Sequence, residues 1–169
     1  IAVGYSQSCA LRSDGNVSCW GANTNGNRGD AGGTDIGDEA NEMGTNLSTV
    51  SFGAGIYPMA ISAGMATCAL LPDGGMKCWG NNTGTGYILG YGDTVSRTLP
   101  SASGNIDLGT VTPTVLSVSG ALTSRCAVLG SNNVKCWGNG QYGKLGYGDE
   151  VTRGTTPSTL SLIHISEPT

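Results

Sequence analysis

The chain is poor in charge: Lys, Arg, Asp and Glu make up 12% of its 169 residues, and eight basic residues face twelve acidic ones. A surface with so few cations lacks the face that a phosphate backbone requires, so nucleic acid is not an expected partner. Histidine is almost missing, with His164 alone, and there is no C-x-x-C pair, so neither a zinc cluster nor a nucleophile paired with an imidazole is expected. No apolar run approaches the eighteen or so residues of a membrane span, which argues against membrane insertion. Sustained helical periodicity is absent too, which removes the helical fold classes.

Glycine and repetition are abundant instead. The 29 glycines are more than twice the usual share and imply many turns. All six cysteines and all three tryptophans fall in three related segments, CALRSDGNVSCWG at 9–21, CALLPDGGMKCWG at 68–80 and CAVLGSNNVKCWG at 126–138. Their first cysteines recur after 59 and then 58 residues, a period that signals an array or a propeller. Each segment follows a short apolar strand ending in Gly and precedes a Gly- and Asn-rich turn region, so about four short strands fit in each period. Repeats are expected at 1–59 and 60–117, with a partial repeat at 118–159.

Within each segment the cysteines stand ten positions apart around a three-residue loop. Such a loop needs a left-handed residue at its end, and Gly15, Gly74 and Asn132 tolerate that conformation. The register follows by counting: Leu11 faces Val17, and Cys9 faces Cys19, as Cys68 faces Cys78 and Cys126 faces Cys136. Each couple falls on a non-hydrogen-bonded position, where Cα atoms lie about 4.5 Å apart, near the lower end of the disulfide range. Cross-strand disulfides are therefore expected, with reduced cysteines as small core residues the alternative. If the disulfides form, the compartment is oxidising, extracellular or periplasmic.

The C-A-L-x-x-D-G-x-V-x-C-W-G core, followed by Leu89-Gly90-Tyr91-Gly92-Asp93 and Leu145-Gly146-Tyr147-Gly148-Asp149, resembles the regulator of chromosome condensation repeat family over residues 1 to about 159. The resemblance implies an all-β fold of about three blades of a seven-bladed β-propeller, with further blades of the same chain. The paired cysteines look most like exported bacterial members. Repeat 1 departs from the pattern by placing Arg28 where the family has Leu. Residues 160–169 break the repeat and resemble a translated sequencing adaptor, so His164 and Glu167 are excluded from any site.

The candidate chemistry is thin. Gly138 to Gly143 matches a dinucleotide fingerprint, but no helix follows to hold a phosphate, and no cofactor is expected. Asp30, Asp35, Asp38, Glu39 and Glu42 form an acidic loop whose spacing is not that of an EF-hand; it reads as solvated, with calcium binding or a polysaccharide-acting enzyme as alternatives. Trp20, Trp79 and Trp137 share one repeat position and read as structural wedges between blades. Asn23, Asn25, Arg28, Asn81, Tyr87, Asn139, Gln141 and Tyr142 lie on the variable loops, where propellers place ligands. The expected function is a non-enzymatic binding scaffold for a protein or a cell-envelope glycan. The family's naming activity, guanine nucleotide exchange on the small GTPase Ran, is the alternative that the resemblance implies.

Overall fold

The computed structural model describes residues 1–84, 87–109, 122–130 and 133–155, together with the backbone of 115–120. It contains three antiparallel three-stranded sheets, with strands in sequence order in each. Blade 1 comprises β1 (Ala2–Val3), β2 (Gln7–Leu11) and β3 (Val17–Gly21). Blade 2 comprises β4 (Ala60–Ala63), β5 (Ala66–Leu70) and β6 (Met76–Gly80). Blade 3 comprises β7 (Val115–Gly120), β8 (Ser124–Leu129) and β9 (Val134–Gly138).

The hairpins have the counted register. Leu11 pairs with Val17 and Cys9 with Cys19, and the same pairing sets Cys68 against Cys78 and Cys126 against Cys136. Gly15 and Gly74 close their loops in the left-handed region, at φ 81° and 79°. Asp14 and Asp73 brace these turns by accepting the N–H two residues on, at 3.0 and 2.8 Å. Asn132, the third expected turn residue, and the tail from 160 to 169 lie outside the described residues. All three cysteine couples are disulfide-bonded, with Cα separations of 4.1, 4.0 and 4.0 Å.

Four strands per period proves to be one too many among the described residues. The fourth position shrinks to isolated bridges: Gly21 to Ile36, Gly80 to Arg97 and Gly138 to Arg153, with Val17 to Val50 as a second one in blade 1. Each of the three glycine bridges exchanges two backbone hydrogen bonds, as in Gly80 to Arg97 at 2.7 and 3.1 Å. The Gly- and Asp-rich segment before each bridge turns too tightly to extend a ladder.

The core lies between blades rather than inside one. Cys9, Val17, Cys19, Val50 and Phe52 of blade 1 pack with Ala69, Leu71 and Trp79 of blade 2. A second cluster joins Cys68, Met76, Leu89 and Ile106 of blade 2 to Ala127, Leu129 and Trp137 of blade 3. Trp79 and Trp137 are fully buried. Each lies under a glycine of the preceding blade: a Cβ on Gly29 would sit 2.6 Å from Trp79 Nε1, and one on Gly90 would sit 2.8 Å from Trp137 Nε1. Trp137 Nε1 donates to Ile88 O at 2.9 Å, and Trp79 meets Phe52 edge-on at 5.5 Å. Trp20 is only partly buried.

Candidate functional site

The loops after each tryptophan gather at one end of the blades, and cross-blade hydrogen bonds fix them there. Tyr5 N–H donates to Gly64 O at 3.0 Å, and Gln7 Nε2 reaches Gly64 O and Thr67 Oγ1, both at 3.1 Å. Asn27 Oδ1 accepts the N–H of Asn81 at 3.2 Å. In blade 3, Asn139 N–H donates to Thr123 O at 2.8 Å, and Lys144 Nζ donates to Thr123 Oγ1 at 2.7 Å. The described loop residues at this end (4–6, 22–27, 64–65, 81–84, 87, 122–123 and 139–144) carry one charged side chain, Lys144. The opposite end holds the hairpin tips with Arg12, Asp14 and Asp73.

The sequence candidates separate by burial. Asn25 is exposed at φ 64°, and Tyr142 occupies the equivalent left-handed position, also at φ 64° and 83% exposed. Gln141 is exposed and Tyr87 half-buried. Asn81 and Asn139 are half-buried; their Oδ1 atoms cap Thr83 and Gln141 N–H groups, each at 2.8 Å. Asn23 is buried and internal: its Oδ1 accepts the Arg28 N–H at 3.0 Å, and its Nδ2 donates to Asp30 Oδ1 at 2.7 Å.

Arg28 is 1% exposed, so its side chain is not presented to a ligand. It fills the position of the buried Leu89 and Leu145, while Asp30 stands where those repeats have Tyr91 and Tyr147. The two residues bond to each other at 3.0 Å, so an ion pair of a buried Arg28 and a partly exposed Asp30 replaces the leucine and tyrosine of the later repeats.

The later repeats carry a unit that sequence reasoning noted only as a pattern. Arg97 clamps Asp93 through two hydrogen bonds of 3.0 and 2.7 Å and lies 3.8 Å above the Tyr91 ring. Tyr91 Oη accepts the Cys78 N–H at 3.2 Å. Arg153, Asp149, Tyr147 and Cys136 repeat the arrangement. Burial raises the pKa of both tyrosines. The Arg153 hydrogen bond, with help from the Val151 N–H, holds Asp149 at about 2. A carboxylate depressed in the folded state contributes stability that is present above its unfolded pKa of about 3.9 and is lost as pH falls towards 2. In a carboxyl-detected NMR titration, Asp149 is expected to titrate near 2, and Arg153→Gln to move it up towards the ordinary carboxylate value, with the Val151 N–H keeping part of the depression; an unmoved midpoint would contradict the clamp.

The acidic loop does not converge. Glu42 turns back to accept the N–H groups of Gly37 and Glu39 at 2.7 and 3.1 Å, and Asp35 accepts the Asn23 N–H at 3.2 Å. Among the described residues no group of three His, Cys, Asp or Glu is placed to hold a metal ion. Asp14, Glu42, Asp93 and Asp149 have depressed pKa values, the opposite direction to that of a general acid. The Gly138 to Gly143 motif enters a short 3-10 turn, Gln141–Gly143. Among the described residues no helix is long and apolar enough to cross a membrane.

Between the loops of blades 2 and 3 lies a pocket of about 40 Å³. Met65, Ile88 and Leu122 form its apolar wall, and Asn81, Thr83, Tyr87 and Thr123 bring polar groups to it.

The regulator of chromosome condensation (RCC1) repeat profile matches residues 1–27. No curated protein matches the chain by sequence. Among solved structures, human WBSCR16 superposes with a TM-score of 0.70 at 21% identity over 96% of this chain and 36% of its own. Prp20p from Saccharomyces cerevisiae, reported with its binding properties to Gsp1p and histones, gives 0.66 at 21% identity over 97% and 37%. Yeast RCC1 (Prp20) bound to Kap60 gives 0.63 at 21% identity over 95% and 36%. The chain thus spans little more than a third of these structures. Residues 1–27 match that repeat profile, and the described residues fold as consecutive blades like those of these β-propellers.

Proposed function

We propose that the chain is part of a non-enzymatic propeller scaffold, working in an extracellular or periplasmic compartment, whose post-tryptophan loop face holds a protein or a cell-envelope glycan. The observation that carries this reading is the single surface that all three blades build largely from Tyr, Asn, Thr and Gly, fixed by cross-blade hydrogen bonds, with Lys144 held by Thr123 and with Asp30 and Asp35 held by Asn23. Three disulfides support an oxidising compartment, since thiols are kept reduced in cytosol and nucleus. Further blades of the same chain would cover the partly exposed Trp20, as blades 1 and 2 cover Trp79 and Trp137. Blade borders near residues 59 and 117 belong to the same proposal.

A second reading, nucleotide exchange on a Ran-like GTPase, draws support from the likeness to yeast RCC1 (Prp20). A fold alone does not assign that activity, and a nuclear setting is reducing. The discriminating experiment incubates the purified chain with a Ran-type GTPase loaded with fluorescent GDP. The scaffold reading expects nucleotide release at the spontaneous rate; catalysed release would overturn it. Hydrolysis of a polysaccharide that Asp35→Asn and Asp38→Asn abolish would overturn it equally.

A further inference from the structure

The pocket between blades 2 and 3 combines a small size, an apolar wall and uncommitted polar groups. We infer that it is a sugar-binding subsite for a neutral N-acetylated hexosamine, with the acetamido methyl seated against Met65, Ile88 and Leu122. This assignment rests on the reading of the loop face as the binding face and names the ligand for it.

Size sets the first restriction. A space of about 40 Å³ holds only a few water-sized groups, since one water needs roughly 10–15 Å³ on the same measure, so a pyranose ring stays outside and a small substituent enters. The wall sets the second. A hydroxyl placed against Met65, Ile88 and Leu122 would lose its water without regaining a partner there, whereas a methyl loses nothing. The polar groups set the third. Asn81 spends its Oδ1 on Thr83 and leaves its Nδ2 to donate, while among the described residues the Tyr87 hydroxyl engages no side chain or backbone group. Thr123 Oγ1 accepts from Lys144 and keeps its own proton to give. An amide carbonyl, an amide N–H and ring hydroxyls suit this set of donors and acceptors.

Charge and aromatic placement extend the same chemistry over several sugars. No residue that lines the pocket carries a charge, and the neighbouring Lys144 is engaged by Thr123, so an uncharged ligand loses the least hydration on docking. Tyr5, 74% exposed, is tied to Gly64 beside Met65 on one side of the pocket. Tyr142, 83% exposed, lies on the other side, in the loop whose Lys144 reaches Thr123. Exposed tyrosines offer flat apolar faces with a polar tip, suited to the C–H faces of neighbouring pyranose rings.

The test is saturation-transfer NMR on the purified chain with two β-1,4-linked trisaccharides, one of N-acetylglucosamine and one of glucose. The acetamido methyl is expected to receive the strongest saturation, and the glucose trimer to bind at least about tenfold more weakly, the usual discrimination for one methyl-sized group in an apolar pocket. Leu122→Trp fills the pocket from a position that is already 50% exposed; it is expected to abolish the signal while circular dichroism and disulfide content stay unchanged. Equal binding of the two sugars, or binding that survives Leu122→Trp, would overturn the assignment. Binding of neither sugar would also overturn it, leaving the loop face to a protein partner and the scaffold reading to the GTPase and hydrolysis assays. Cleavage of a trisaccharide during the measurement would remove the non-enzymatic reading on which the assignment rests.

Discussion

Trp137→Ala is expected to destabilise the chain by about 3–5 kcal/mol, the range for truncating a large buried aromatic. The indole is fully buried at the junction of blades 2 and 3, lies beneath Gly90 and donates to Ile88 O at 2.9 Å. Removing it opens a cavity under a glycine backbone that carries no side chain to fill it, and leaves the carbonyl without its donor. Trp79→Ala should behave similarly, because Gly29 and Phe52 enclose that ring in the same way. Trp20→Ala acts on a partly exposed ring and should cost no more than about 2 kcal/mol. Denaturant unfolding with the disulfides intact measures all three. Equal losses at Trp20 and Trp137 would show that the cost comes from the blade itself rather than from the junction.

Removing the middle disulfide by the double substitution Cys68→Ala and Cys78→Ala is the second large effect, expected at about 2–3 kcal/mol for an eleven-residue loop in the chain-entropy model. Alanine is chosen because both cysteines are fully buried, where a serine hydroxyl would need a partner. This pair belongs to the cluster that joins blades 2 and 3, so lost sulfur packing adds to the entropic loss. Thermal unfolding of the double variant against the parent, both non-reduced, gives the difference. An unchanged transition would mean that the hairpin is held by its ladder and packing alone.

Much of this architecture can be read from the residues because hairpin register is local. Once Gly15 and Gly74 close their loops at positive φ, counting outward fixes every pair up to the cysteines. The 59- and 58-residue spacing, with one tryptophan per repeat, points to a wedge. The fourth strand is less legible, since whether a ladder extends beyond Gly80 to Arg97 depends on the tightness of the preceding turn and not on local strand preference. Arg28 and Asn23 are illegible for a different reason. In sequence they look like polar loop residues, and only the three-dimensional position shows that Arg28 replaces a buried leucine and takes Asp30 as its partner. The Tyr-Gly-Asp spacing with Arg four residues on is visible twice, but its stacking needs coordinates. The loop face is legible as a set of variable segments; the pocket is not, because residues from three separate stretches of chain line it.

The cysteine state in the source cell bears most directly on the account, since it separates an exported scaffold from a nuclear exchange factor. Cells would be treated with a membrane-permeant thiol-alkylating reagent before lysis, and the protein then analysed by non-reducing peptide mapping and mass spectrometry. Three intact linkages, Cys9 to Cys19, Cys68 to Cys78 and Cys126 to Cys136, with no alkylated cysteine, are predicted. Six alkylated thiols would contradict the compartment, and with it the proposed function.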